Sequence, residues 1–380
     1  MNDAIETFLF WPVLKYVIVF SIVMVIVMAM TWIERRMLGF FQARLGPNRV
    51  GPFGLFQAIA DPVKLLLKED ILPRKAEKIA YFLGPMLPII PGLMVFTLIP
   101  YGPEPLTVTR VNVGLLLILA LTSTAVYGII LGGWASNNKY SLMGGLRSAA
   151  QMVSYEVPFG LSVVGVLMMA GTLDLYEIVR YQEAHSWNFF TQIVACFVFF
   201  VAMNAESNRT PFDLPEAESE LVAGFHTEYS GMKFAFFMLG EYTMMIVNSC
   251  LMVTLFMGGW TLGMFNLGLT TERLAAMGAF GAVLAALIFL TKVMFFMLVF
   301  VWFRATFPRF RFDQLMDLGW KWLIPVALAN IVVTGLFILA GAEQAMGFIG
   351  IAVLALIFFF LFRSKPAKST ATPQKVIHAS

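Results

Sequence analysis

The chain carries a cluster of acidic side chains in one connection between apolar segments. Between Asn204 and Tyr229 it places six acids against one arginine, Arg209. The acids are Glu206, Asp213, Glu216, Glu218, Glu220 and Glu228. Mutual repulsion and partial burial raise the pKa of crowded carboxylates, so such groups can exchange protons near neutral pH. The cluster therefore indicates proton transfer, and a solvated acidic loop is the simpler alternative.

Helix capping explains only part of this cluster. Asp213 can cap a helix, with Glu216 three residues later in a first turn, where the helix dipole favours acids. Glu218 and Glu220 lie past such a first turn. Capping therefore leaves these two acids unexplained.

Three further ionisable residues lie in or beside apolar segments. Glu156 follows Tyr155 at the start of one segment, and Glu241 and Lys292 lie within two others. An ionisable side chain inside a membrane span costs at least about 2.5 to 3.5 kcal/mol, so it normally faces the bundle interior and marks a functional path. We expect Glu156 and Glu241 to join the acidic cluster in one network. For Lys292 the alternative is an internal salt bridge with one of these acids.

The composition is that of an integral membrane protein. Of 380 residues, 59% are hydrophobic and 13% charged, and the mean hydropathy is +0.80. The net charge of +3 comes from scattered basic residues, so nucleic acid is not an expected partner. The sequence has no Walker A loop and no HExxH motif, and Cys196 and Cys250 lie in apolar runs. We therefore expect no nucleotide, metal or iron–sulfur site in this chain.

The apolar segments predict an all-α integral membrane protein with about nine transmembrane helices. The segments lie near residues 12–32, 79–100, 112–134, 152–172, 189–204, 232–260, 276–303, 320–340 and 344–362. The odd-numbered connections and the tail contain 21 Lys and Arg residues, against three in the even-numbered connections. Positive residues stay on the inner side, so the N-terminus is predicted outside and the C-terminus inside. We expect one polytopic domain over residues 1–362 and a basic, disordered tail at 363–380.

The first connection, residues 33–78, combines charges with large apolar residues. A turn-rich Gly46–Pro52 stretch precedes apolar residues at roughly helical spacing from Phe53 to Leu67. This pattern predicts an amphipathic helix at the membrane surface, with Asp61 extended and Pro62 interrupting or kinking the helix. The helix either anchors the first two spans or forms the mouth through which a lipid-soluble molecule enters.

Glu34, Arg35 and Arg36 stand at the inner end of the first span. Their guanidinium groups either snorkel to the lipid headgroups or face inward. In the second case an arginine would line the polar end of a cavity with Glu34 and Asp61. Arginine suits that role because its planar fork binds a carboxylate or a polar headgroup without losing its charge.

Three long stretches resemble a known family. They are Gln42–Pro52 (QARLGPNRVGP), Glu206–Leu221 (ESNRTPFDLPEAESEL) and Arg304–Leu315 (RATFPRFRFDQL). In order and spacing they resemble the H subunit of bacterial NADH:quinone oxidoreductase, respiratory complex I, whose mitochondrial counterpart is subunit 1. The resemblance covers roughly the first eight spans, and the ninth goes beyond the eight-span pattern of many members.

The resemblance implies a subunit without a redox centre that forms much of a quinone chamber and couples quinone reduction to proton translocation. The family's quinone-chamber positions fall on Glu34, Arg35, Arg36, Asp61 and Arg304, beside the acidic loop. Its proton-coupling path falls on Tyr155, Glu156, Glu206, Asp213, Glu216, Glu218, Glu220, Glu228 and Glu241. The amphipathic helix resembles the quinone entry portal.

The resemblance also implies the cofactors and partners. Quinone, expected to be ubiquinone, is the substrate, whereas FMN, the NADH site and the iron–sulfur clusters belong to partner subunits. Expected partners are the subunit with the terminal iron–sulfur cluster, its quinone-site neighbour in the peripheral arm, small membrane-arm subunits and lipids. The expected location is the bacterial inner membrane, with the mitochondrial inner membrane as the alternative.

Two other functions remain open at this point. One is a quinone-free membrane subunit of an energy-converting hydrogenase, which shares ancestry with this family. The other is a proton-coupled secondary transporter, which also contains intramembrane acids. Transporters usually show an internal repeat, and no self-similar halves are visible here. The GPNRVGP loop and the amphipathic helix favour the quinone enzyme.

Overall fold

A computed structural model describes residues 11–214, 222–262, 269–342, 346–347 and 350–352. The α-helices in these ranges are α1 (Trp11–Phe41), α2 (Gln57–Leu67), α3 (Lys78–Val95), α4 (Gly114–Ser123), α5 (Ala125–Ala135), α6 (Lys139–Ala170), α7 (Leu175–Ala184), α8 (Asn188–Thr191), α9 (Ile193–Glu206), α10 (Gly231–Phe256), α11 (Thr271–Ala276), α12 (Gly278–Thr306), α13 (Phe312–Asp317) and α14 (Ile324–Leu339). A π-helical turn, Leu318–Leu323, joins α13 to α14. The predicted all-α membrane fold is confirmed.

Seven segments within the described ranges are long and apolar enough to cross a membrane. They are α1, α3, α4 with α5, α6, α10, α12, and α13 continued into α14. The predicted fifth span is α9, which has 14 residues and follows the single-turn α8. At 1.5 Å per residue such a helix is about 21 Å long, shorter than a hydrocarbon core of about 30 Å. The predicted ninth span and the basic tail lie almost entirely outside the described residues.

Two helices extend well beyond the spans predicted for them. Helix α1 continues to Phe41, so Glu34 lies on the helix itself and not in a connection. Helix α6 begins at Lys139, where the Asn138 side chain accepts a hydrogen bond from the Tyr140 backbone N–H, so Glu156 lies in mid-helix. Charged residues end a hydropathy window early, whereas backbone hydrogen bonding continues through them.

The amphipathic surface helix is present as α2. Several of its apolar side chains are exposed, namely Ile59, Val63, Leu66 and Leu67. The predicted interruption at Pro62 is wrong, because the helix runs through both Asp61 and Pro62. A proline removes one backbone hydrogen bond, and the Gln57 side-chain amide donates to the Asp61 carboxylate at 2.8 Å across the same turn.

Helix α10 lies at the centre of the bundle. In its most apolar stretch 78% of the residues are buried, compared with 17% in α1. It packs against α3, α9 and α12, while α6 packs against α5, α9 and α14. A helix that is buried on all sides belongs to a core. Its polar and charged side chains therefore face other protein elements and not lipid.

Candidate functional site

Glu34 lies at the centre of a buried ionic network near the end of α1. Arg209 Nη1 donates to both Glu34 carboxylate oxygens, at 3.1 and 3.0 Å. The Tyr242 hydroxyl on α10 donates to Glu34 Oε2 at 2.7 Å, and Arg304 on α12 donates to Oε1. The carboxylate thus accepts from three elements that are far apart in the sequence. We refer to Glu34, Arg209, Tyr242 and Arg304 as the Glu34 network.

Arg209 is the most deeply placed cation of the Glu34 network. Its side chain is buried, and Cζ lies 4.2 Å from the centre of the Tyr242 ring. Burial alone lowers the pKa of Arg209, but the Glu34 carboxylate, with smaller contributions from Tyr242 and Glu241, outweighs burial and raises that pKa above its ordinary value. The guanidinium therefore stays charged. Among the described residues, its Nε and Nη2 have no hydrogen-bond partner.

The other predicted chamber residues lie where α1 meets α2. Arg35 Nη1 is 2.5 Å from Asp61 Oδ2, and the Arg35 side chain is half exposed. Arg36 donates to the Phe53 carbonyl oxygen at 3.1 Å, and its guanidinium lies over the rings of Trp32 and Phe53. The structure therefore brings Glu34 together with Arg304 and Arg35 together with Asp61, while Arg36 fixes the segment that precedes α2.

A small internal cavity adjoins the turn that follows α9. Its volume is about 30 Å³, and its lining includes the side chains of Glu206 on α9, Glu241 on α10, and Ser207 and Asn208 on the turn. This volume is enough for ordered water. Glu206 is buried, and its Oε2 has no hydrogen-bond partner among the described residues. Two carboxyl groups on one water-sized cavity form an arrangement that can pass protons.

Two of the remaining predicted residues lie on α6. Glu156 is close enough to Glu206 for electrostatic interaction, and its carboxyl group also hydrogen bonds to Ser123 at the end of α4. The Tyr155 hydroxyl donates to the Leu315 carbonyl oxygen at 2.8 Å. Glu156 thus adjoins the cavity acids, whereas the Tyr155 hydroxyl binds the backbone of α13.

The rest of the predicted acidic path is divided between two ends of the connection. Asp213 accepts from Arg309 at 3.1 Å, and Glu228 Oε1 accepts from the Asn138 amide at 2.6 Å. The predicted path residues Glu216, Glu218 and Glu220 lie outside the described residues. Each described acid of the connection therefore has a separate environment, which does not match a single solvated loop.

Lys292 does not form the salt bridge considered as an alternative from the sequence. Its Nζ donates to the carbonyl oxygens of Met257, Gly259 and Thr261 at 2.7, 2.9 and 2.7 Å. The ammonium also lies 4.7 Å from the centre of the Trp187 ring. These carbonyls follow the C-terminus of α10, where a positive charge is favoured by the helix dipole. Lys292 therefore binds α12 to the segment after α10.

The sequence assigned no role to two central residues, Arg209 and Tyr242. Arg209 carries a signal, because it is the one basic residue among the six acids of its connection. Tyr242 carries a weaker one, because it follows an acid inside an apolar segment. Neither signal identifies Glu34 as the partner, because Glu34 precedes Arg209 by 175 residues.

Comparison with known proteins agrees with this arrangement. The family model described as NADH dehydrogenase matches residues 14–335. A Koribacter versatilis protein, named as the second of two H subunits of NADH-quinone oxidoreductase, is 44% identical over 88% of this chain and 99% of that protein. A Rhizobium etli protein of the same name is 45% identical over 88% of this chain and 95% of that protein.

A third relative covers slightly more of the chain. A Dehalococcoides mccartyi protein, named as the H subunit of NADH-quinone oxidoreductase, is 44% identical over 92% of this chain and 93% of that protein. The family match includes Glu34, the turn after α9 and Arg304. The resemblance seen in the sequence is confirmed, and the chain belongs to the NADH dehydrogenase family.

Proposed function

We propose that this chain is the membrane subunit of an NADH-quinone oxidoreductase that forms part of the quinone chamber and couples quinone reduction to proton translocation. Its relatives are named as the H subunit of that enzyme. One observation carries the proposal. Glu206 and Arg209 are three residues apart in the chain, and the first lines the water-sized cavity while the second binds Glu34. This spacing links a candidate substrate site to a candidate proton path.

The proposed chamber lies where α2 and α12 approach the end of α1. Arginine and tyrosine are hydrogen-bond donors, and a quinone presents two carbonyl oxygens as acceptors. Arg304 is about a third exposed, so its guanidinium is accessible while it pairs with Glu34. The exposed apolar side chains of α2 supply a surface over which a lipid-soluble quinone enters.

The coupling follows from charge. Reducing a quinone to a quinol consumes two electrons and two protons, and the electrons come from an iron–sulfur cluster in a partner subunit. Negative charge that develops near Arg304 or Arg209 competes with Glu34 for these cations, because Coulomb interactions are strong in a low-dielectric site. A shift of Arg209 moves the turn that also carries Glu206. Glu206, Glu241 and Glu156 then exchange protons in an interdependent way.

The same proposal places the chain in a larger assembly. A multi-pass membrane protein with bacterial relatives of this name fits the bacterial inner membrane. The partners are the subunits that carry the terminal iron–sulfur cluster and the quinone-site neighbour, together with small membrane-arm subunits and lipids. FMN, NADH and the clusters bind to these partners. The relatives' names favour this enzyme over a quinone-free hydrogenase or a transporter.

The proton-coupling part is tested with Glu206→Gln in the assembled complex in sealed membrane vesicles. Glutamine keeps the size of the side chain but cannot exchange the proton. We expect NADH:quinone reductase activity coupled to proton uptake to fall by about tenfold or more. Reduction of ferricyanide by NADH, which bypasses quinone, should not change. The control is Glu104→Gln, whose carboxylate is 77% exposed. Normal proton translocation in Glu206→Gln would contradict the proposal.

The quinone part is tested in the same vesicles by photolabelling with an azido-quinone. We expect labelled peptides from residues 34–68, with labelling reduced by excess unlabelled quinone. An active, intact complex in which this chain stays unlabelled would contradict the chamber assignment. That result would favour an anchoring subunit or a quinone-free relative.

A further inference from the structure

Gln151 is a fully buried glutamine on α6 that faces the turn after α9. Its side-chain Nε2 donates to the Ala205 carbonyl oxygen at 2.7 Å and to the Phe212 carbonyl oxygen at 2.6 Å. The same nitrogen is 3.4 Å from Asn208 Oδ1. One amide group therefore bridges the two ends of a segment of eight residues, which we call the 205–212 turn.

The two short bonds end at informative positions. Ala205 directly precedes Glu206, and Phe212 directly precedes Asp213. Arg209, which binds Glu34, lies between these two points. Because the carbonyls at both ends are fixed by one side chain, the separation between Glu206 and Arg209 is fixed as well. Gln151 itself touches neither the Glu206 carboxylate nor the Glu34 network among its hydrogen-bond partners.

Neighbouring side chains on α6 bind the same turn. Ser148, one turn before Gln151, donates to Asn208 Oδ1 at 3.4 Å. The Asn208 amide in turn points to Met152 Sδ at 3.5 Å. Asn208 has φ +48°, a left-handed conformation that a non-glycine residue adopts only at some cost. The contacts from α6 offset that cost and keep the turn in one conformation.

We propose that Gln151 is a positioning residue for coupling: it sets the geometry of the 205–212 turn, and thereby the distance between the proton-exchanging Glu206 and the Glu34-bound Arg209. This inference rests on the proposed function. The role requires two donors on a neutral side chain of this length. Asparagine is one methylene too short, and an ionised carboxylate would oppose the two carbonyl oxygens.

The test uses Gln151→Met and Gln151→Glu in the assembled complex in sealed vesicles. Methionine keeps the length and removes both donors. We expect quinone reductase turnover per assembled complex to fall about tenfold or more, because small displacements of reacting groups are costly. Ferricyanide reduction should stay normal. The matched control is Gln192→Met, which removes a buried glutamine that hydrogen bonds to Thr334 and Asn330 instead.

The pH profile separates positioning from a merely structural role. A carboxyl group at position 151 donates one hydrogen bond when protonated and none when ionised. Turnover of Gln151→Glu should therefore fall as pH rises, relative to the wild type, and approach that of Gln151→Met. Wild-type turnover in Gln151→Met, or losses that track only the amount of assembled complex and leave the profile unchanged, would overturn the inference.

The Glu206→Gln variant distinguishes the two possible failures. If Glu206→Gln is normal, the proposed coupling fails, and Gln151 has no coupling geometry to set. If Glu206→Gln is impaired while both Gln151 variants are normal, only the positioning role fails. Combining Gln151→Met with Glu206→Gln should give a loss smaller than the product of the single losses, because both changes act on one element.

Discussion

The chain neutralises Glu34 and Lys292 in opposite ways. Glu34 accepts hydrogen bonds from two arginines and a tyrosine, which come from α10, α12 and the turn after α9. Lys292 donates to three uncharged carbonyl oxygens within the single segment 257–261. Glu34 is thus balanced by mobile side-chain charges, and Lys292 is balanced by the backbone.

The difference indicates which region responds to a chemical event. Backbone carbonyls that follow a helix keep their positions, so the Lys292 contacts have one arrangement. The Glu34 network contains more than one cation for one carboxylate, and a new negative charge nearby changes how these charges pair. We therefore interpret the Lys292 region as a structural clamp and the Glu34 network as the part that senses the substrate.

Arg209→Met should have the largest effect on this comparison. Removing one partner of a buried ion pair costs about 3 to 5 kcal/mol, because the remaining charge stays buried. We expect a loss of assembled complex and a further loss of quinone reductase turnover in the complex that assembles. The measurement is turnover normalised to ferricyanide reduction. Arg180→Met, at an exposed arginine, is the control.

The pH dependence of the Arg209→Met defect follows from the pKa of Arg209. Glu34 raises this pKa against the effect of burial. The stabilisation is therefore fully present below the ordinary arginine pKa and is lost only above the raised value. Across about pH 6 to 9 the defect should be constant. A defect confined to one end of that range would show that the charge on Arg209 changes there.

Lys292→Met should reduce stability and leave the chemistry unchanged. It leaves three carbonyl oxygens without their donor, which we expect to cost about 2 to 3 kcal/mol. The thermal midpoint of the purified complex should fall, while the pH profile of quinone reduction keeps its shape. Lys321→Met, at a 67% exposed lysine paired with Asp317, is the matched control. A shifted pH profile without a loss of stability would contradict the clamp interpretation.

Arg110→Gln should have the smallest effect. Arg110 binds Asp174 at 2.6 Å and Glu177 at 2.5 Å, but its side chain is 40% exposed. Exposed ion pairs contribute about 0 to 1 kcal/mol and are screened by salt. We expect a small decrease in the thermal midpoint that disappears at high salt, with normal turnover. A large decrease that persists at high salt would show that Arg110 resembles Lys292 more than a surface residue.

Much of the fold was predictable because it depends on local composition. Hydropathy located seven spans and the amphipathic helix α2. It placed the end of α1 and the start of α6 wrongly, since charged residues such as Glu34 and Arg147 break an apolar window without breaking a helix. It also predicted an interruption at Pro62, where the loss of one hydrogen bond is tolerated within α2.

The candidate site was predictable in its membership and not in its pairing. Sequence motifs selected Glu34, Asp61, Arg304 and the acids of the connection, since charges near apolar segments need a reason. They did not indicate that Arg209 and Tyr242 complete the Glu34 network, or that Lys292 binds carbonyls. Such pairings join residues from distant parts of the chain.

The sequence by itself determined that this is an all-α membrane protein of the NADH dehydrogenase family with costly charges in its apolar parts. Composition and ordered motifs carry that information, because each span and each motif is local. Only the tertiary structure decided which charges neutralise one another and that Gln151 bridges the 205–212 turn. Helix packing decides these contacts, since a buried polar group is stable only beside partners that the whole bundle brings to it.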